Sequence, residues 1–195
     1  ARGYRNGVLV EDVMMMTFAL FPDLHQGDEF AVNVGSNCYF ISDVSHLTWL
    51  PDRPYTAGEW GYVNGKGRST TSEIYNTVDG PVYQTWMEDI TEYKIDAPAG
   101  TYEVELLMAD VSRPARQQAN LLGKGDERAS AASKRFDITI CGEVVEQNFS
   151  PADNDRYLNA CRRRYIVNNN DGCIDIRFTP LQGKPVLSGL KVRRL

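Results

Sequence analysis

Apolar and polar residues alternate with period two along most of this chain. In residues 101–111, TYEVELLMADV, one face takes Tyr102, Val104, Leu106 and Met108 and the other takes Glu103 and Glu105. RFDITI (135–140) alternates Phe136, Ile138 and Ile140 with Asp137 and Thr139. CIDIRF (173–178) repeats the pattern with Ile174, Ile176 and Phe178, and SGLKVRRL closes the chain with Leu190 and Val192. Such segments predict half-buried strands of antiparallel sheets. Turn-forming residues separate them: PAG at 98–100, CGE at 141–143, NNNDG at 168–172 and LQGKP at 181–185. YIVNNNDGCIDIRF reads as a hairpin whose Asn and Gly residues supply positive φ. Many short strands at this spacing predict an all-β, antiparallel β-sandwich, with no long amphipathic helix to compete. Residues 101–110, the longest alternating segment, are expected to form a central strand.

Two segments break the pattern. Residues 1–27 read as a small hairpin around Asn6-Gly7 followed by a connector. Two strands do not fold alone, so they either join the main domain or end a preceding one. The boundary falls between 27 and 28, leaving 28–195 as the main domain. Residues 112–134 are polar and rich in Ala, Gly and Ser, and read as a long inserted loop with a helical turn near RQQANLL.

The formal net charge of −5 argues against a nucleic-acid partner, because an acidic chain does not attract phosphate backbones. The basic runs CRRRY (161–165) and KVRRL (191–195) then read as solvated strand faces. The apolar run VMMMTFALF (13–21) is too short to span a bilayer, so no membrane insertion is expected. Cys38, Cys141, Cys161 and Cys173 form no CxxC pair and only two histidines are present, so they read as thiols rather than zinc ligands or a disulfide framework. The chain opens at Ala1 without Met, which reads as a piece of a longer protein.

Carboxylates are plentiful: Asp52, Glu59, Glu88, Asp89 and Asp110. A glycosidase needs two of them flanking one bond, and no such pair is evident from spacing. Asp43, Ser45 and His46 are grouped locally but lack the strand–elbow–helix setting of a nucleophile. No phosphate loop appears. SPADNDRY (150–157) carries oxygen ligands that suit calcium without the spacing of a calcium loop, and no cofactor is expected.

The aromatics of residues 48–65, TWLPDRPYTAGEWGYVNG, remain. Trp49, Tyr55, Trp60 and Tyr62 lie among two prolines and three glycines that hold the segment in loops. A flat aromatic ring stacks on the apolar face of a sugar, and polar side chains at the rim meet its hydroxyls. Trp49 and Tyr55 read as caps on the core. Trp60 and Tyr62, flanked by Gly58, Gly61 and Gly65, are open to both a stacking and a core role.

Several segments, taken in order, resemble malectin-type domains. FAVNVGSNCYF (30–40) resembles their opening strand and TWLPDRPYTAGEWGY the next segment. IYNTVDGPVYQT (74–85) resembles their Tyr-Gln-Thr motif, and YKIDAPAGTYEVELLMADV their Pro-x-Gly-x-Tyr strand. RFDITICGEVV and LQGKPVLSGLKVRRL resemble the two closing segments. Residues 1–27 resemble the last strands of the Ig-like domain that precedes this module in bacterial family-two glycoside hydrolases of the β-galactosidase type. The resemblance implies a jelly-roll-like, galactose-binding-like sandwich with no catalytic residues of its own, located in the periplasm, on the cell surface or outside the cell. Its partners would be an oligo- or polysaccharide and the catalytic domains of the same longer chain.

The resemblance also implies a site. Trp60, Tyr62 and Trp86 would form the stacking platform, with Glu88 and Asn64 meeting hydroxyls. The chain departs from the family pattern elsewhere. The positions of two adjacent family aromatics fall on Ser112 and Arg113, and a family acidic residue falls on Gly183. Tyr83, Gln84, Thr85 and Asp110 carry a structural alternative, as anchors of loop backbone. A second reading of the whole chain is a structural module that packs against the enzyme or mediates oligomerisation, with its aromatics buried.

Overall fold

The computed structural model describes residues 4–5, 8–9, 28–112, 134–152 and 156–195. The expected hairpin around residues 6–7 is present: β1 (Tyr4–Arg5) pairs antiparallel with β2 (Val8–Leu9), Tyr4 opposite Leu9. The helical turn expected near RQQANLL and the Asp/Asn run at 153–155 lie outside the described residues.

Two sheets form the sandwich. In the first, β13 (Cys161–Asn169), β10 (Gly100–Met108), β16 (Gly189–Arg194), β3 (Glu29–Asn33), β5 (Thr48–Pro51) and β4 (Phe40–Ile41) lie side by side in that order. In the second, the order is β12 (Glu143–Phe149), β11 (Arg135–Ile140), β14 (Cys173–Gln182), β9 (Glu92–Asp96) and β6 (Trp60–Tyr62). A small third sheet of β15 (Val186–Leu187), β8 (Thr85–Glu88) and β7 (Lys66–Ser69) stands beside them. Pairing is antiparallel among the described strands except between β3 and β5, which run parallel.

The alternating residues build the core as expected. Tyr102, Val104, Leu106 and Met108 of β10 pack with Phe136, Ile138 and Ile140 of β11 and with Ile174, Ile176 and Phe178 of β14. β10 is an interior strand, hydrogen-bonded to β13 on one side and β16 on the other. Its opposite face is not simply solvated. Leu107 and Ala109 pack there with Trp49, Ile74, Val82 and Tyr83 in a second apolar cluster. Val82 and Tyr83 come from α1 (Gly80–Tyr83), a single turn with a proline at its start, where the missing N–H costs nothing.

This second layer explains a departure from the alternation. Glu105, expected on the solvent face, is buried. Its register partners are Arg164 on β13 and Lys191 on β16. Arg162 Nε lies 3.1 Å from its carboxylate and Lys191 Nζ 3.4 Å. The basic runs of the sequence are thus a cross-strand charge ladder over Glu103 and Glu105. The Tyr-Gln-Thr motif spans a helix end and a strand start. Tyr83 ends α1, Gln84 caps it and Thr85 begins β8. Gln84 Nε2 donates to the Ser72 carbonyl (3.0 Å) and Thr85 Oγ1 to Asn33 Oδ1 (2.8 Å), so the motif holds loops together. The four cysteines form no disulfide.

Candidate functional site

The loops that the sequence marks as ligand-bearing meet at the edge where β6, β7 and β8 end. Trp60 lies in β6 opposite Ile95 of β9, and it is only 3% exposed. The Phe30 ring meets it edge-on at 4.9 Å, and the Arg53 guanidinium carbon sits 3.6 Å from the indole centroid. Gly61, next to Trp60, serves close approach: a Cβ there would lie 2.3 Å from the Arg53 carbonyl oxygen and 2.6 Å from Tyr55 N. Residues 53–55 run against β6, Tyr55 N donating to the Tyr62 carbonyl (2.9 Å) and Tyr62 N to that of Arg53 (3.1 Å). The Pro/Gly segment therefore folds back over the core and buries its tryptophan.

Trp86 is also buried, at 8% exposure. In β8 it alternates with Met87, which belongs to the main core, so Trp86 and Glu88 share the other face of the small sheet. Arg68 and Lys66 of β7 stand opposite them in register. Glu88 accepts from Arg68 Nε at 3.1 Å. Tyr62 is half-buried, and Asn64 is exposed, its Oδ1 accepting from Thr91 N (2.9 Å) and Oγ1 (2.7 Å). The indoles of Trp60 and Trp86 present no open face. That corrects the expectation of a platform built on two exposed tryptophans. The physical reason for Trp60 is the Arg53 lid on its indole, while Trp86 has Arg68 opposite it in register.

An open groove of about 580 Å³ does lie at this edge, lined by Gly35, Asn37, Gly67, Arg68 and Ser69. Its floor is set by Gly35 (φ +78°), whose missing Cβ lets the β3–β4 turn rest on the Trp86 backbone: a Cβ would come within 2.4 Å of it. Asp52 ties the turn down. Its carboxylate accepts from Gly35 N (2.8 Å), Arg53 N (2.9 Å) and Tyr93 Oη (3.0 Å). Burial pushes its carboxyl up to about 6, against the pull of those three hydrogen bonds.

The other candidate carboxylates are similarly engaged. Glu59 pairs with Arg53 (3.2 Å), Asp89 with Lys184 (3.1 Å) and Asp110 with Lys134 (2.5 Å). Ser112 and Gly183, where the resemblance implies an aromatic and an acid, both lie beside Lys134. Its Nζ meets Ser112 Oγ at 2.6 Å, and a Cβ on Gly183 would face its side chain. Arg113 lies outside the described residues. Lys134, Asp110 and Ser112 thus form one polar network. Asp43, Ser45 and His46 are exposed and belong to a turn in which His46 N donates to the Ser42 carbonyl (2.9 Å).

The malectin domain family model matches residues 29–189. The chain belongs to the malectin domain family. No curated protein matches it. Among solved structures, this malectin domain is similar to a segment of a Bacteroides uniformis β-glucuronidase, with 45% identity and a TM-score of 0.74 over 86% of this chain and 18% of that one. It is also similar to β-glucuronidase 2 of the same organism, solved covalently bound to cyclophellitol-6-carboxylate aziridine, with 44% identity, a TM-score of 0.75 and coverage of 87% and 18%. The malectin domain therefore corresponds to about a fifth of those chains. The plant receptor-like kinase FER shares the fold at 15% identity, with a TM-score of 0.61 over 86% of this chain and 42% of that one.

Sequence reasoning missed Tyr39, Arg53 and Arg68, which border the open edge. The only signal for Tyr39 is its place directly after the turn-forming GSNC, and Arg53 is hidden between Asp52 and Pro54.

Proposed function

We propose that this chain is a non-catalytic carbohydrate-binding module and the C-terminal part of a bacterial family-two glycoside hydrolase. The observation that carries this reading is the open polar groove at the loop edge of a malectin domain, lined by Asn37, Arg68 and Ser69. Tyr62, Asn64 and Glu88 border the glycan on this reading, while Trp60 and Trp86 form the packed wall behind them. The kinship to segments of two β-glucuronidases supports attachment to catalytic domains of the same chain. It favours a β-glucuronidase-type parent over the β-galactosidase type expected from sequence. On this reading the β1–β2 hairpin belongs to a preceding Ig-like domain. The whole enzyme works outside the cytoplasm, in the periplasm, at the cell surface or beyond it. Holding a glycan beside the active site raises the local substrate concentration.

A specific observation favours a second reading, an interaction module. Ile41 and Val44 are each 65% exposed, at and just beyond the edge strand β4. An apolar edge of this kind suits docking onto a catalytic domain. A glycan array probed with the purified chain separates the two. Retention of a defined set of saccharides supports the first reading. No retention, together with tight binding to the separately expressed catalytic domains, supports the second.

A further inference from the structure

A second pocket lies at the opposite border of the first sheet, where β13 begins. It has a volume of about 340 Å³, and Ser150, Asn159, Arg156, Arg162 and Arg163 line it. Among the described residues its walls hold three guanidinium groups and no carboxylate. Two of the three are fixed by ion pairs. Arg162 Nε lies 3.1 Å from Glu105, and Arg163 Nε lies 3.3 Å from Glu146 with its guanidinium carbon 5.0 Å from the Phe149 ring centroid. A guanidinium carries five N–H donors, more than one carboxylate oxygen takes up. Arg156 differs from both. It is exposed and makes no ion pair or hydrogen bond among the described residues, so its charge is not neutralised in place.

Register puts this pocket at the same end of the sandwich as the open groove. Arg162 stands opposite Leu107, Leu107 opposite Gly189, and Gly189 opposite Asn33. Gly35, two residues past Asn33, lines the groove. Three inter-strand steps, about 14 Å, separate β13 from β3 along that row. An oligosaccharide of a few rings spans such a distance. Arginine favours a charged group at the far end, because its fork meets two oxygens of a carboxylate or a sulfate at once. A neutral hydroxyl gains no such charge assistance.

We propose that Arg156, Arg162 and Arg163 form an anion subsite that takes the carboxylate or sulfate of an acidic saccharide whose neutral rings lie in the loop-edge groove. The proposal rests on the glycan-binding reading and deepens it. It adds an oxyanion to the ligand and a second point of attachment at the β13 border.

Isothermal titration of the purified chain at low salt tests this. The ligands are a neutral oligosaccharide, the same oligosaccharide bearing a terminal glucuronate, the same bearing a sulfate ester, and an oligoglutamate peptide. The variants are Arg156→Gln and, as a charge control, Arg177→Gln, at an arginine 61% exposed on the second sheet. One anionic saccharide is expected to bind about tenfold more tightly than the neutral one, and the tighter of the two names the oxyanion. Arg156→Gln is expected to abolish that gain while leaving the neutral affinity and the thermal midpoint unchanged, and Arg177→Gln to change none of the three. Added salt is expected to erode the gain and spare neutral binding. Equal affinity for neutral and anionic saccharides, a gain that survives Arg156→Gln, or an equal loss in Arg177→Gln would overturn the subsite and leave the glycan-binding reading standing. Tighter binding of oligoglutamate than of either anionic saccharide would overturn it in favour of an acidic protein partner. Absence of binding to every saccharide would remove the glycan-binding reading and the subsite with it.

Discussion

The Arg53 guanidinium lies over the Trp60 indole with its central carbon 3.6 Å from the ring centroid. This contact explains why a tryptophan appears amid prolines and glycines. The loop folds back, Gly61 lets it approach, and the arginine seals the ring into the core. Trp60→Ala should therefore cost about 4 kcal/mol in folding stability, the range of buried aromatic truncations. Urea unfolding checks it. A stable variant with lost glycan affinity would return Trp60 to an exposed binding role.

Gly61 and Gly142 offer a paired test of close approach against backbone strain. A Cβ at Gly61 meets backbone atoms at 2.3 Å, whereas at Gly142 (φ +81°) nothing lies within 4 Å. Gly61→Ala should destabilise by about 3 kcal/mol or more, and Gly142→Ala by about 1 kcal/mol, the cost of left-handed backbone alone. Equal losses in thermal or urea unfolding would contradict this geometry.

Asp52 should leave a mark on pH dependence. Its carboxyl is raised from 3.8 to about 6 by burial, so between those values the folded state holds a proton that the unfolded state has released. The sign follows: stability from this group is greatest below pH 3.8 and falls as pH rises to about 6. The advantage of wild type over Asp52→Asn should shrink by about 2 kcal/mol from pH 4 to pH 7. A constant difference across that range would show that Asp52 titrates normally.

Asp110 is fully buried, and Lys134 is its counter-ion. Lys134→Ala leaves that carboxylate uncompensated and should cost about 3 kcal/mol, much of it restored by adding Asp110→Asn. Additive losses in the double variant would separate the two residues energetically.

Period-two alternation made the sandwich legible, because each core strand carries its own face. Residues 101–110 were expected as a central strand, and β10 occupies Gly100–Met108 inside the first sheet. What alternation does not show is which second layer covers the outer face. Burial of Glu105 depends on Arg162 and Lys191, distant in sequence but adjacent in register. The site was less legible for the same reason. Loop aromatics have no period to say which way they face, so Trp60 and Trp86 read as a platform although both are buried. Asn64 and Glu88 are held by Thr91 and Arg68 instead. A single aromatic after a turn, such as Tyr39, has no pattern at all.

The central claim is that this module holds a saccharide at its open loop edge. The most direct measurement is a titration of the ¹⁵N-labelled chain with neutral oligosaccharides, followed by amide shifts. The account predicts saturable changes confined to the edge: Gly35, Asn37, Tyr39, Arg53, Gly67 and Arg68, with the β12 and β13 amides unmoved. Changes clustered on β12 and β13, or none at any saccharide concentration, would contradict it.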